Sequence, residues 1–147
     1  MRTTLLVLHI VGVALWLGAN GVLAFAGPRA SNAPAEARAW WADTQGAMAK
    51  VLYNIAGILI LVTGVFLVLE DGGPEFSDTF VSIGFGAIIV GAALGMLVFG
   101  PGTRQLGAAI RAGDAEAERS TTTRLTLFGV LDTAVVVFTI VAMVGRW

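Results

Sequence analysis

Cysteine is absent from this chain of 147 residues. That excludes disulfides, thiolate metal sites, iron–sulfur clusters and covalently attached c-type haem. Histidine occurs once, as His9, so a bis-histidine haem site would need two subunits. Charge is scarce as well: 13% of residues are Asp, Glu, Lys or Arg, against roughly 25% in a soluble domain. The net charge of −1 gives no electrostatic case for a nucleic-acid partner. Strand-like alternation of polar and apolar residues is also lacking, which argues against a membrane β-barrel.

What the chain has instead is apolar bulk, 56% of residues and a mean hydropathy of +0.83, gathered in blocks. Four blocks reach the length of about 20 residues that crosses a bilayer. They run over about 4–26, 51–69, 80–99 and 125–145. Lipid offers backbone groups no partner except their own chain, so each block reads as a helix. The fold class expected is all-α: one transmembrane domain spanning 1–147, an antiparallel bundle of four helices. Arg2, the first apolar run and Ala24-Phe25-Ala26 imitate a signal peptide. The run exceeds the ~7–15 residues of such peptides, which favours a true span.

The nine Lys and Arg residues set the expected orientation. Arg29, Arg38 and Lys50 lie in segment 27–50, and Arg104, Arg111, Arg119 and Arg124 in segment 100–124. The segment between the second and third blocks, "EDGGPEFSD", is acidic. The positive-inside rule puts both basic segments in the cytoplasm and both termini outside. Trp40 and Trp41 suit the inner interface and Trp147 the outer one. Asn32 is positioned to cap a helix carrying Pro34 in its first turn. "AEARAWWADTQGAMAK" reads as an extension of the second helix, and "QLGAAIRAGDAEAERSTTTR" as a short helix followed by a flexible turn.

Polar groups inside these blocks are few. Positions seven and eleven apart nearly coincide on a helix, so His9, Trp16 and Asn20 share one stripe. A polar stripe should face protein rather than lipid. Asp132 stands in the fourth block, and an intramembrane carboxylate is a functional-site candidate by default. Counted at about 1.5 Å per residue from each helix centre, Asn20, Asn54 and Asp132 fall within roughly 5 Å of one level in the inner half. Lys50 can snorkel toward them. This polar cluster reads either as a clamp between helices or as a proton or small-solute conduit through Asp132 and Asn20. His9 falls in the outer half, near Thr139 and Met143, and about 12 Å from the level of Asp132. His9 and Met143 are the candidate axial ligands of a b-type haem, which accepts a His/Met pair. Met96 and Met143 are too few soft ligands for copper, and no metal site is expected. Gly91 and Gly95 form a GxxxG pair that suits close packing of helices, within the chain or between copies.

"LHIVGVALWLGANGVLAF", "AGILILVTGVFLVLEDG", "FSDTFVSIGFGAIIVGAALGMLVFGPGTRQLGAAI" and "LTLFGVLDTAVVVFTIVAM" together resemble an uncharacterised family of four-helix bacterial integral membrane proteins. The Gly100-Pro101 exit and the acid in "LDTAVVV" belong to that resemblance. More distantly, the "LHI…LW.G" pattern of the first helix is similar to the copper-resistance D-type membrane domain and to HemJ-type protoporphyrinogen oxidases. The latter resemblance implies a haem associated with His9. The HemJ type also uses a lysine in its third helix, and this third helix has none. The expected roles are therefore a non-catalytic subunit of a homo-oligomer or larger membrane complex, a haem-associated redox-linked protein, a conduit, or a HemJ-like oxidase.

Overall fold

A computed structural model describes residues 1–70, 72 and 74–146. Among these residues the chain is helical, with no strand. Four helical stretches are long and apolar enough to cross a membrane. Trp147, expected at the outer interface, lies outside the described residues, as do Asp71 and Gly73 of the acidic turn.

Helix α1 runs over Arg2–Ala30, α2 over Ala35–Leu69 and α3 over Thr79–Leu94. A π-helical turn, Gly95–Phe99, joins α3 to α4, Gly100–Ala112, and α5 covers Ala115–Gly145. The helices extend well past the apolar blocks, so segments 27–50 and 100–124 are mostly helix rather than loop. Alanine, glutamate and arginine are strong helix formers, and these stretches are rich in them.

The helix ends have local causes. Ala33 precedes Pro34, and a residue before proline is pushed out of helical geometry, so α1 stops there. Ser31 Oγ and Asn32 Nδ2 both donate to the Pro28 carbonyl, at 2.8 and 3.1 Å. Asn32 thus finishes α1 and does not cap α2, whose N-cap position holds Pro34 with no side-chain cap. Gly113 closes α4 at φ +70°, the left-handed geometry that glycine adopts without strain. Asp114 then accepts a 3.0 Å bond from the Ala117 amide and caps α5. The turn is therefore two residues long, and Ser120 and the three threonines behind it are helical.

The Gly100-Pro101 exit is not an exit. Pro101 has no N–H for the carbonyl four residues back, and its ring crowds that carbonyl. The chain widens rather than breaks: the Gly100 amide bonds to Gly95 O, a five-residue return, and the helix continues to Ala112.

Helix α1 packs most extensively on α2, α3 on α5, and α4 on both α2 and α5, while the α1–α5 and α2–α3 contacts are sparse. Helices α1 and α2 approach one another closely at Gly12. A Cβ there would lie 2.8 Å from Ile60 Cγ1 and 3.3 Å from Ala56 O. At the far end, α2, α4 and α5 project together beyond the apolar blocks around Ala39, Ala42, Leu106, Ile110 and Leu125. Arg38 Nε and Nη2 grip the Glu118 carboxylate at 2.7 and 3.2 Å, and Arg111 pairs with Asp43. Along the apolar windows little is covered, 17% of residues in three of them and 11% in the fourth. The uncovered remainder needs a solvent other than water.

Gly12→Val should cost about 1–3 kcal/mol through overpacking and lower the unfolding midpoint in mild detergent. Gly18 is exposed with open space around it. Gly18→Ala, by contrast, should leave the midpoint unchanged or raise it by the helix-propensity difference of about 0.5–1 kcal/mol.

Candidate functional site

Trp16 crosses the middle of the molecule. The α1 and α3 backbones do not adjoin among the described residues, and the indole fills the gap. Its benzo ring lies against Gly57 of α2 and Gly91 of α3, where Cβ atoms would come within 3.4 and 2.6 Å of it. Tyr53 meets it edge-on, with ring centroids 5.5 Å apart and planes at 89°. The indole Nε1 donates to Asp132 Oδ2 of α5 at 2.9 Å. One side chain therefore touches every other long helical stretch.

Asp132 is 3% exposed. Its Oδ2 takes a second bond, 2.8 Å, from Asn20 Nδ2. The same amide nitrogen donates to Thr133 Oγ1 at 3.0 Å, and Asn20 Oδ1 accepts from the Tyr53 hydroxyl at 2.5 Å. The carboxylate is thus held by N–H donors from α1, and the amide that holds it is itself fixed from α2. Among the described residues the ion pairs are Arg38–Glu118 and Arg111–Asp43, so no cation pairs with Asp132. Chemically this is a linked set of donors and acceptors joining three helices, with both bonds to the carboxylate falling on Oδ2. Each such interhelical bond contributes about 0.6 kcal/mol on average in a bilayer, and up to ~2.

Asn20 and Asp132, placed together from the sequence, meet directly. Asn54 and Lys50 do not join them. Both are exposed, and Asn54 Nδ2 donates to the Lys50 carbonyl of its own helix at 2.8 Å. The inward position of α2 belongs to Tyr53, about 100° away around the helix. The signal for it was available: Gly46, Tyr53, Gly57 and Gly64 follow one another at seven, four and seven residues, the spacing of one face. An amide inside an apolar run drew attention away from that stripe.

His9 and Met143 have different neighbours. His9 Nδ1 lies 3.0 Å from Thr63 Oγ1, and its ring edge rests over Gly64. Because the Thr63 hydroxyl donates to the Leu59 carbonyl at 2.6 Å, the imidazole is the donor and carries its proton on Nδ1. The level-matched candidate, Thr139, instead donates to Val135 O at 2.8 Å. Met143 Cε sits against Gly84 of α3, 2.6 Å from where a Cβ would be. An axial His/Met pair needs both side chains to face one space. With His9 seated on α2 and Met143 on α3, these two residues do not fit a haem between them.

The glycine pair is also split. Gly91 is the socket for Trp16, whereas nothing lies within 4 Å of a Cβ on Gly95, which belongs to the π-turn. Within the chain, a close helix approach is found at Gly12. Comparison with family models, curated proteins and solved structures finds no match to this chain.

Gly91→Val should drive a branched side chain into the rigid indole and lower the unfolding midpoint sharply, while Gly95→Ala should shift it little. Tyr53→Phe keeps the edge-on ring and removes one hydroxyl, so a loss of about 1 kcal/mol is expected in denaturant titration.

Proposed function

We propose that this chain is a non-catalytic integral membrane subunit, a packing element of a homo-oligomer or larger complex in a bacterial cytoplasmic membrane. Its four spans form an antiparallel bundle with both termini outside. The observation that supports this reading is the hydrogen-bonding that links Trp16, Asn20, Tyr53 and Asp132 across three helices, which gives the one carboxylate within the apolar blocks a holding task. The antiparallel order is supported by two cross-links. Arg2 Nη1 donates to Gly72 O at 2.8 Å, joining the start of α1 to the turn after α2. Arg38 and Glu118 join the starts of α2 and α5. The seven cations of segments 27–50 and 100–124 favour the cytoplasm for the end that carries them.

A second reading, a proton conduit, draws on the run from Tyr53 hydroxyl through Asn20 to Asp132. The amide in the middle weakens it, since a carboxamide does not readily hand a proton from one side to the other. A haem at His9 would need a second ligand other than Met143, which rests on α3.

Paired variants separate the two. If the carboxylate is a clamp, Asp132→Asn still accepts from Trp16 and Asn20 and should remain folded, whereas Asp132→Leu orphans both donors and should lose about 2–4 kcal/mol. Neither wild type nor Asp132→Asn should then pass protons in pH-gradient assays on liposomes. Wild-type flux that Asp132→Asn abolishes would install the conduit.

A further inference from the structure

The cations at the basic end are not equivalent. Arg38 and Arg111 are committed to Glu118 and Asp43. Arg29, Lys50, Arg104 and Arg124 are exposed, and no ion pair holds them among the described residues. Arg29 gives one N–H to Phe25 O at 2.7 Å and lies over the Phe25 ring. The rest of its five-donor fork stays available.

Printed across the helices, the register puts these four residues in one band. A Cβ on Gly46 would sit 3.2 Å from Thr103 Oγ1, and one on Gly102 2.7 Å from Leu125, which levels α2, α4 and α5. The Asn20–Asp132 bond adds α1. Counting about 1.5 Å per residue from these matches, Arg29, Arg104 and Arg124 fall within ~2 Å of one level, with Lys50 about 7 Å nearer the apolar blocks. Each of the four long helical stretches contributes one cation. On the same count the unpaired Glu36, Asp114 and Glu116 lie roughly 12–15 Å farther out, Glu118, which Arg38 holds, about 9 Å, and Arg119 about 8 Å. Positive charge therefore collects where the apolar surface ends, and the unpaired negative charge is withdrawn from it.

We propose that Arg29, Lys50, Arg104 and Arg124 form a cationic collar that binds the phosphates of anionic phospholipids at the cytoplasmic face. This rests on the bilayer reading above. A guanidinium can bond a phosphate through two parallel N–H groups, and Lys50 supplies a point charge slightly deeper in the headgroup layer. The binding chemistry is that of a phosphodiester, so free phosphate is the rival source. The lipid is favoured because the four groups come one from each long helical stretch, at the level where the apolar surface ends.

The full chain is reconstituted in mixed phosphatidylcholine and phosphatidylglycerol nanodiscs, and the lipids it retains are counted by native mass spectrometry. Wild type should retain phosphatidylglycerol preferentially. Each of Arg29→Gln, Lys50→Gln, Arg104→Gln and Arg124→Gln should cut the preference up to about fivefold, and added salt should weaken it further. Arg119→Gln should leave it unchanged. The quadruple variant should show no preference; if it fails to fold, the four single variants decide. Equal preference in wild type and collar variants, or an equal loss with Arg119→Gln, overturns the proposal. Displacement of the lipid by equimolar inorganic phosphate overturns the lipid assignment. Flotation with pure phosphatidylcholine vesicles tests the underlying reading separately: failure to float removes the bilayer, whereas flotation without lipid preference removes the collar alone.

Discussion

The indole of Trp16 and the carboxylate of Asp132 are the contact on which the rest of the arrangement depends. Helices α1 and α2 make one well-packed pair, and α3 and α5 another. Between the pairs, backbone contact is thin. A 2.9 Å bond from Nε1 to Oδ2 spans that gap, and the same ring plugs the space over Gly57 and Gly91. A polar bond counts for more in apolar surroundings, because no water stands ready to replace the lost partner. Removing the carboxylate would leave the buried indole N–H unmatched, and removing the indole would open a cavity over Gly57 and Gly91.

Around this contact the molecule is built by subtraction. Gly12 lets α2 approach α1, Gly64 makes room for the His9 ring, Gly84 for Met143, and Gly102 for Leu125. Large side chains on one helix meet missing ones on the next. In water the hydrophobic effect would press such helices together. In lipid, packing and hydrogen bonds must do it, which is why sockets of this kind recur. Beyond the apolar blocks the means change. The projecting ends of α2, α4 and α5 are joined by a small apolar core and by the ion pairs of Arg38 and Arg111.

Much of this was legible from composition and period. The four long helices follow from run length, and the meeting of Asn20 with Asp132 from counting depth along each helix. What the sequence concealed has identifiable causes. Proline after Gly100 signals a break in most helices, but a π-turn lets the helix absorb the missing amide, and that outcome depends on neighbours rather than on local composition. Asn54 is the more polar residue, yet the stripe of small residues at Gly46, Gly57 and Gly64 marks the packed face of α2 and puts Tyr53 on it. Depth and helix face together match His9 with Thr139 and Met143. Depth says nothing about which of two helices at that level a side chain faces, and the facing was settled by Gly64 and Gly84.

The distribution of the clamp along the chain has a consequence for biogenesis. A ribosome delivers Trp16 and Asn20 first, Tyr53 next and Asp132 nearly eighty residues later. Until α5 emerges, Asn20 has the tyrosine hydroxyl to bond with, whereas the indole N–H has no acceptor of its own in this set. The nascent α1–α2 pair is therefore incomplete in one specified atom. The arrival of a single carboxylate completes it, so the fourth span is also the one that locks the first.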